Sequence, residues 1–535
     1  MLIPRVLASA LAACTLSALA AAPGAAAVTN GFATYQPATV EPPVSRPAAR
    51  HCTVMLYREH GFAGDKPFQA QYAPPAPCRG PWSKVVLTVD THVKGNQYDR
   101  IGSLWLGRDE IFRFSTAEPT RHGIFYRVEK DVTPYVPLLR SPQTVRTDLV
   151  NYVTGPYDGV FYLTASLTFY EASAAAPAAR VADAVLPVTA APGAPTTDRN
   201  GHFSATLSHL PANVVRATLD LYASNHACDE FWYTNVPDAY AARHKKDELC
   251  GGGPYREIDV AVDGRLASVV YPFPYIWTGG INPLLWRPLS AIHTLNVPPY
   301  AVDLDPWAGV LSDGKPHTIT VSVYNDRGSW FVNGNLMLWT DRGRARTGGA
   351  VTADTIAAKV PESTIEMLGA DGGTFRETAS RAWHVAGYVD TSRGRVRYAV
   401  ADTMRFMNAQ TIVLSTGRGD ATQQLDFTRT MTTTDGTGTH VRTESESYPL
   451  IANSVYPPPA KRPGYDLVID ADVHQSWLRH GTDGRCAFVV DATAELKRKG
   501  RQNVVARGRT SEGNACTGAY GRYAISASSV DGVPR

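Results

Sequence analysis

Apolar and polar residues alternate in short runs along most of this chain, a pattern typical of half-buried β-strands. Helical spacing of apolar residues is scarce. The clearest runs, rich in β-branched and aromatic residues, are 85–89, 160–164, 318–324 and 383–389. Turn-forming pairs separate such runs, at Asp263-Gly264, Asp313-Gly314, Asn333-Gly334 and Asp371-Gly372. The pattern predicts an all-β protein built from β-sandwiches or jelly rolls.

A change in composition divides the chain of 535 residues, which is long enough for two or three domains. Residues 173–200 are rich in Ala and Pro, as expected of an extended connection between domains, although 184–188 could lie along a sheet edge. We therefore expect jelly-roll-like β-sandwiches at 28–172 and 201–344, and a C-terminal β-rich region at 345–535.

The N-terminus predicts export. Residues 1–27 combine Arg5, an apolar run and small residues at 25–27, which is the pattern of a secretory signal peptide. A lipoprotein cleavage before Cys14 is the alternative, but the apolar run continues past that residue. We expect a secreted or periplasmic protein, and no later stretch is apolar enough to span a membrane.

Cysteine usage agrees with export. Without Cys14, an even number of cysteines remains, which predicts disulfides in an exported chain. Their grouping along the sequence favours Cys52 with Cys78, Cys228 with Cys250, and Cys486 with Cys516. No spacing typical of a zinc site occurs, so we expect neither a metal nor another cofactor.

The overall charge does not predict a charged partner. The formal net charge is +3, with 44% apolar and 19% charged residues, as in a globular protein. We expect no nucleic-acid or membrane partner, and a monomer. The densest basic cluster, 497–501 (KRKGR), is interpreted as a solvated turn.

Two strings place carboxylates beside aromatic residues, in segments that otherwise resemble strands: 98–106 (YDRIGSLWL) and 228–233 (CDEFWY). Asp99 follows a turn-like stretch and precedes an apolar run, so we expect it at a strand end, facing a cleft. The neighbouring Arg100 would keep Asp99 ionised, which suits a base that orients water. The alternative is a surface Asp–Arg pair.

Strand alternation would put Glu230 and Trp232 on one face. An aromatic neighbour that excludes water raises a carboxyl pKa, so Glu230 could be a proton donor or a ligand clamp. The alternative is a strand with its acid in solvent and its aromatic residues in the core.

A loop at 277–288, broken by Gly and Pro, contains Trp286 and Arg287. Such a loop could stack Trp on sugar rings and offer Arg to hydroxyls and carbonyls, or it could be a packed loop between domains. His226 could bind substrate or cap a turn.

The strings at 98–107, 115–120 and 128–133 resemble the peptide-N-glycosidase A family. The resemblance covers roughly residues 80–340 in one order and continues through 229–233, 255–257, 272–274, 278–288 and 330–336. It implies an acid-active bacterial amidase that acts on N-glycosylated peptides or proteins without a metal. The bond cleaved would join Asn to the first N-acetylglucosamine, giving a glycosylamine and leaving Asp.

A fainter resemblance, to the flavobacterial peptide-N-glycosidase F group of two jelly rolls, implies a primary catalytic role for Asp99 and an interior role for Glu230. A further glutamate of that group falls near 153–154, where no acid stands. Glu118 or Asp158 is a candidate to replace it.

Together these observations give a hypothesis for the site. Asp99 activates water, Glu230 binds or stabilises the glycan–Asn linkage, and Glu118 and His226 are further substrate-binding candidates. The remaining candidates hold the carbonyl or peptide, or shape the sugar subsite; these are Arg100 and Arg287, and Trp232 and Trp286 respectively. The alternatives are a secreted glycoside hydrolase, which would also use two carboxylates, and a non-catalytic glycan-binding protein.

Overall fold

A computed structural model describes residues 36–535, apart from positions 190, 194, 195, 199, 359, 361, 463, 501, 519–522, 531, 532 and 535. The predicted signal peptide and the alternative cleavage at Cys14 lie outside the described residues. The described chain is dominated by antiparallel strands, so the all-β prediction is confirmed. No helix among the described residues is long and apolar enough to cross a membrane.

The first part of the chain forms two four-stranded sheets, ordered β1-β8-β3-β6 and β2-β7-β4-β5. Alternation along β8 puts Phe161, Leu163, Leu167 and Phe169 on the face toward the other sheet, where all four are fully buried. The strands are β1 His51–Phe62, β2 Phe68–Tyr72, β3 Trp82–Lys94, β4 Ile101–Leu106, β5 Asp109–Ser115, β6 Ile124–Asp131, β7 Gln143–Leu149 and β8 Val160–Glu171.

The second part also forms two four-stranded sheets, ordered β10-β15-β12-β13 and β14-β11-β16-β9. The strands are β9 Ala184–Pro187, β10 His202–Leu207, β11 Val214–His226, β12 Ile258–Val262, β13 Arg265–Val270, β14 Tyr300–Asp303, β15 His317–Val323 and β16 Ser329–Thr340. The edge strand β9 pairs with β16, which confirms that the Ala/Pro-rich segment contributes to a sheet edge.

One turn prediction is wrong. Asn333-Gly334 lies inside β16 and not at a turn. Asn333 donates from Nδ2 to the buried Glu110 carboxylate at 3.3 Å, and Gly334 leaves room for the side chain of Leu219. Packing against neighbouring strands therefore overrides the local preference of this pair for a turn.

The C-terminal region is one antiparallel sheet of twelve strands, in which β18 pairs with β19 outside the main path and β23 pairs with both β21 and β24. The strands are β17 Gly348–Asp354, β18 Glu362–Gly369, β19 Gly372–Thr391, β20 Gly394–Val413, β21 Arg418–Asp435, β22 Gly438–Ser447, β23 Leu450–Val455, β24 Leu467–Gly481, β25 Gly484–Lys499, β26 Gln502–Gly518, β27 Tyr523–Val530 and β28 Val533–Pro534.

Helices are short and lie in the connections. The α-helices are α1 Asp238–Arg243 and α2 Ala308–Leu311. Single 3₁₀ turns occur at Thr133–Tyr135, Leu138–Arg140, Ala227–Asp229, Trp232–Thr234, Lys245–Asp247, Pro283–Trp286, Asp305–Trp307 and Pro459–Lys461.

Two contacts fix the relative positions of these parts. Arg113 from β5 pairs with Glu110 at 2.8 Å and donates to the Phe331 carbonyl of β16 at 2.6 Å, which joins the first part to the second. The C-terminal sheet shares one apolar core with the second part, and this core includes Trp232, Trp286, Trp383, Phe406 and Phe488.

The three predicted disulfides are confirmed: Cys52–Cys78, Cys228–Cys250 and Cys486–Cys516. Such bonds fit an oxidising compartment. The bond at Cys228 fixes the segment that leads to Glu230.

Candidate active site

Asp99 lies in the loop between β3 and β4, two residues before β4 begins. The predicted position at a strand end is therefore confirmed. The backbone N–H of Arg100 donates to Oγ1 of Thr116 at 2.9 Å, and the Thr116 N–H donates to the Arg100 carbonyl at 2.8 Å. These bonds hold the Asp99 loop against the segment that carries Glu118.

The loop that follows β13 closes over both acids. The Thr278 hydroxyl donates to the Thr116 carbonyl. A Cβ on Gly279 would lie 2.5 Å from Oε1 of Glu118 and 3.0 Å from Oδ1 of Asp99. A real Cβ atom does not approach another atom to 2.5 Å. Both carboxyl groups can therefore lie against this backbone because residue 279 is a glycine.

Glu118 also contacts a cation. Its Oε2 accepts a hydrogen bond from a terminal nitrogen of Arg287 at 3.1 Å, so the two side chains form an ion pair. Burial raises the pKa of Glu118 to about 7; Arg287 works against this rise, and the charge of Asp99 adds to it. The resemblance named Glu118 as a candidate, and the structure brings it to Asp99 and Arg287.

Glu230 does not lie on a strand, so that prediction is wrong. β11 ends at His226, and Glu230 falls between the 3₁₀ turns Ala227–Asp229 and Trp232–Thr234. Asn225 stabilises this bend, because its Nδ2 donates to the carbonyls of Asp229 and Glu230 at 3.0 and 2.8 Å. A polar side chain from the end of β11 thus replaces the strand hydrogen bonds that the bend gives up.

The turn that carries Glu230 packs on the same loop, residues 277–288, which we call the Gly-rich loop. A Cβ on Gly280 would lie 3.2 Å from Cε1 of Phe231. Burial raises the pKa of Glu230 to about 7, and the charge of Asp99 adds to the rise. Gly279 thus lies against Asp99 and Glu118, and the neighbouring Gly280 lies against the turn that carries Glu230, which brings the three acids to one loop. We refer to Asp99, Glu118 and Glu230 as the carboxyl cluster.

Asp99 carries a pKa shift in the same direction as the two glutamates. Burial raises its pKa to about 6, while its own backbone N–H and the charge of Arg100 act in the opposite direction. The charge of Asp99 in turn raises the pKa of both glutamates, so ionisation of one member disfavours ionisation of the others.

The guanidinium of Arg100 is engaged by neighbours other than Asp99. It donates to the Tyr98 hydroxyl at 2.5 Å and to Oε1 of Gln97 at 3.0 Å, and its carbon lies 3.7 Å from the centre of the Tyr98 ring. In this arrangement Arg100 supports an exposed aromatic side chain beside the cluster.

Neither predicted tryptophan offers a ring to a ligand. Trp232 is 0% exposed and Trp286 is 3% exposed, and both belong to the apolar core shared with the C-terminal sheet. The indole nitrogen of Trp286 donates to the Gly280 carbonyl at 2.9 Å, which shapes the Gly-rich loop. The predicted sugar-stacking role is therefore not retained for these two residues, because their burial leaves no free face.

His226 is also a packing residue. Its ring lies 4.2 Å from the ring of Phe331 and stacks parallel to Trp277 at 6.1 Å. Burial and the charge of Arg113 lower the pKa of His226 to about 3, so it is neutral. Its side chain does not cap the following turn, so the predicted capping role is wrong.

Three exposed tyrosines lie on the loops next to Asp99. Tyr98 is 40% exposed, Tyr152 is 51% exposed and Tyr157 is 37% exposed, and the rings of Tyr98 and Tyr157 meet edge to face at 5.0 Å. Tyr98 was visible in the string beside Asp99, whereas no sequence pattern marks Tyr152 or Tyr157. The side-chain amide of Asn96 donates to the Pro156 carbonyl at 2.7 Å, which ties the two loops together.

Asp158, the other candidate for a missing acid, has a structural contact. Its Oδ1 accepts a hydrogen bond from the Asn96 backbone at 2.6 Å. It lines a cleft of about 1050 Å³ beside the cluster, together with Arg287 and Pro119. The described residues contain no group of three or more His, Cys, Asp or Glu side chains arranged to hold a metal ion.

Comparison with known proteins adds a family to this geometry. Residues 37–356 match the family model described as peptide N-acetyl-beta-D-glucosaminyl asparaginase amidase A. A peptide-N4-(N-acetyl-beta-glucosaminyl)asparagine amidase A from Prunus dulcis is 35% identical over 380 residues, which cover 67% of this chain and 66% of that protein. The chain thus spans slightly less than two thirds of that relative. The relative comes from a plant, so the bacterial origin stays a prediction.

Two solved structures are distantly similar. PNGF-II is 15% identical with a TM-score of 0.37, over 54% of this chain and 65% of that one. PNGase F from Flavobacterium meningosepticum is 13% identical with a TM-score of 0.36, over 54% of this chain and 96% of that one. At this level of similarity neither structure supports an inference about the site.

Proposed function

The chain belongs to the peptide N-acetyl-beta-D-glucosaminyl asparaginase amidase A family, and from this membership we propose that it hydrolyses the amide between an Asn side chain and the proximal N-acetylglucosamine of an N-glycan. The products are a glycosylamine and a peptide in which Asn has become Asp. The observation that supports the proposal best is the carboxyl cluster, within the family-matched span. Burial raises the pKa of each member, and the charge of Asp99 raises the pKa of both glutamates further.

In the proposed mechanism Asp99 is the base. With a pKa of about 6 it is ionised while Glu230, with a pKa of about 7, still holds a proton. The Asp99 carboxylate accepts a proton from water as the water oxygen bonds to the Asn side-chain carbonyl carbon. A tetrahedral intermediate forms, and the nearby positive charge of Arg287 favours its oxyanion.

The leaving nitrogen needs a proton, because an amide anion is a poor leaving group. Glu230 suits this role better than Glu118. Glu118 forms an ion pair with Arg287, which favours its charged form. Among the described residues no group donates a hydrogen bond to the Glu230 carboxyl, so none of them favours its charged form in this way. The C–N bond breaks as Glu230 protonates nitrogen, and the peptide keeps the oxygen from water.

We also propose that the protein is exported and is most active in mild acid. The three disulfides support export, and the raised pKa of Glu230, which keeps this carboxyl protonated in mild acid, supports the acidic preference. N-terminal sequencing of the mature protein tests cleavage near Ala27. Action as a monomer stays a prediction, which sedimentation of the purified protein can check.

Hydrolysis in heavy-oxygen water tests the reaction class. A defined glycopeptide is incubated in three separate reactions, with the wild-type enzyme, with the Asp99→Asn variant and without protein. The mass of the product peptide is then measured by mass spectrometry. We expect label in the new Asp carboxyl only with the wild-type enzyme. An unlabelled peptide that still carries a sugar would indicate a glycoside hydrolase. Binding without turnover across acidic and neutral pH would indicate a glycan-binding protein. Either result would refute the proposed function.

A further inference from the structure

The cleft beside the carboxyl cluster is lined by basic residues from four separate segments. Its volume is about 1050 Å³, and the cations that line it are Lys94, Arg121, Arg287 and Arg498. Asp158 is the acid among its lining residues, and it is held by the Asn96 backbone. We refer to this space as the basic cleft.

Positive charge exceeds negative charge in the basic cleft. Arg287 forms an ion pair with Glu118 through one terminal nitrogen, at 3.1 Å. Across the part of the chain that the structure describes, Lys94 and Arg121 form no ion pair. The positive charge of Arg498 acts on Glu118 of the carboxyl cluster, because it opposes the rise of the Glu118 pKa that burial causes. A concave site with excess charge of one sign attracts ligands of the other sign, so an anion is favoured here.

Arg498 comes from the C-terminal sheet, beyond the family-matched residues 37–356. The prediction of a solvated turn at 497–501 is wrong for Arg498. It is partly buried at the end of β25 and lines the cleft, whereas Lys499 is exposed and is not among the lining residues. Alternation along the strand sends the two neighbouring side chains to opposite faces.

The sheet that carries Arg498 is fastened to the Gly-rich loop of the site. The Thr510 hydroxyl donates to the Leu285 carbonyl at 2.6 Å, and the Ser529 hydroxyl donates to the Arg287 carbonyl at 3.3 Å. A Cβ on Gly508 would lie 2.7 Å from the Leu284 carbonyl oxygen, so β26 approaches this loop closely. Arg498 is therefore presented by packed structure and not by a loose tail.

We propose that the basic cleft is the peptide-side subsite, where it binds an acidic side chain close to the glycosylated Asn, and that Arg498 determines this specificity. The inference rests on the proposed function. The cleft begins at Arg287, which contacts the carboxyl cluster, so its ligand lies near the scissile bond. An extended peptide advances about 3.3–3.6 Å per residue, so a carboxylate a few positions from Asn reaches the cleft. The carboxylates of a sialylated glycan are several sugar rings away.

Three glycopeptides with one neutral glycan test the proposal. They differ only in Glu, Gln or Lys immediately after the Asn-Xaa-Thr acceptor. We expect the wild-type kcat/KM to be about three- to tenfold higher for Glu than for Gln, as for a partly exposed charge pair, and lowest for Lys. Arg498→Gln should bring the Glu to Gln ratio close to one, because it removes the charge that distinguishes the two peptides.

Two variants serve as controls. Lys499→Gln removes the same charge one residue away on an exposed side chain, and it should keep the wild-type ratio. Arg498→Lys keeps the charge and should keep most of the preference. High salt should lower the wild-type ratio, because salt screens a partly exposed pair. This last measurement needs no variant and so does not depend on how Arg498→Gln folds.

Each other outcome has a defined meaning. Turnover of all three peptides with equal efficiency would overturn the inference and leave the proposed function standing. An equal loss of preference in Lys499→Gln would also overturn it, because the effect would then be one of net charge.

A sialylated and an asialo form of the Gln peptide provide the last comparison. If Arg498→Gln changes only that comparison, the carboxylate belongs to the glycan and the peptide-side assignment is wrong. No turnover of any peptide would refute the proposed function itself.

Discussion

Asp229 and Arg256 form a fully buried ion pair, with hydrogen bonds of 2.7 and 3.0 Å to the two carboxylate oxygens. The indole nitrogen of Trp330 donates to the same carboxylate at 2.8 Å. The next residue, Glu230, belongs to the carboxyl cluster and has a raised pKa. Two adjacent acids thus differ in their surroundings: Asp229 is fully buried and holds the turn, whereas Glu230 is partly exposed.

Asp229→Ala should unfold more easily than the wild type. The substitution leaves the Arg256 charge buried without its partner, which typically costs about 3–5 kcal/mol. Asp238→Ala is the matched control, since Asp238 pairs with Arg327 at 2.7 Å but is 62% exposed, and such pairs contribute roughly 1 kcal/mol or less. Urea unfolding followed by circular dichroism measures both. Similar costs for the two variants would contradict the anchoring role of Asp229.

Asp99→Asn should abolish most activity without loss of stability. Removal of a general base typically lowers kcat/KM by about 10²–10⁴-fold. At pH 7 the melting temperature should not fall. Burial raises the Asp99 pKa to about 6, so at pH 7 the charged carboxylate destabilises the folded state relative to the unfolded state. Asn carries no charge and removes this destabilisation. The exposed Asp65→Asn is the control, with activity unchanged. A near-normal rate for Asp99→Asn would show that another group activates water.

Activity should follow a bell-shaped curve against pH. The ascending limb follows ionisation of Asp99, whose pKa is about 6, and the descending limb follows loss of the Glu230 proton, whose pKa is about 7. The maximum therefore falls between these values, in mild acid. The measurement is kcat/KM on one glycopeptide across acidic to alkaline buffers, with the melting temperature recorded in each to separate titration from unfolding. A rate that continues to rise in alkaline buffer would exclude a protonated carboxyl as the donor.

Gly279→Ala should impair catalysis while the fold persists. The new methyl group would lie 2.5 Å from Oε1 of Glu118 and 3.0 Å from Oδ1 of Asp99, so at least one carboxyl must move. Displacement of a catalytic group by about 1 Å can cost roughly 10²-fold in rate. Gly419→Ala is the control, because a Cβ there meets no atom within 4 Å. Full activity in Gly279→Ala would mean that the two acids are not held against this backbone.

Local features could be predicted because they depend on neighbouring residues. The strands at 85–89, 160–164 and 383–389 follow from alternation and β-branched content, and β3, β8 and β19 contain them. The disulfides followed from the grouping of cysteines. Asp99 at a strand end followed from a turn before an apolar run. The resemblance brought Glu118 into consideration, whereas the composition of the loop at 277–288 brought Arg287.

By itself, then, the sequence determined the all-β class, the cysteine pairs and the acids worth testing. Only the tertiary structure decided which groups meet. Glu118 and Arg287 pair across 169 positions, and Arg498 reaches the same cleft from the C-terminal sheet. The tertiary structure also buried Trp232 and Trp286, and it made Asp229 a buried anchor beside the partly exposed Glu230. Burial and pairing depend on what distant strands bring alongside a residue, and local periodicity contains no information about those distant neighbours.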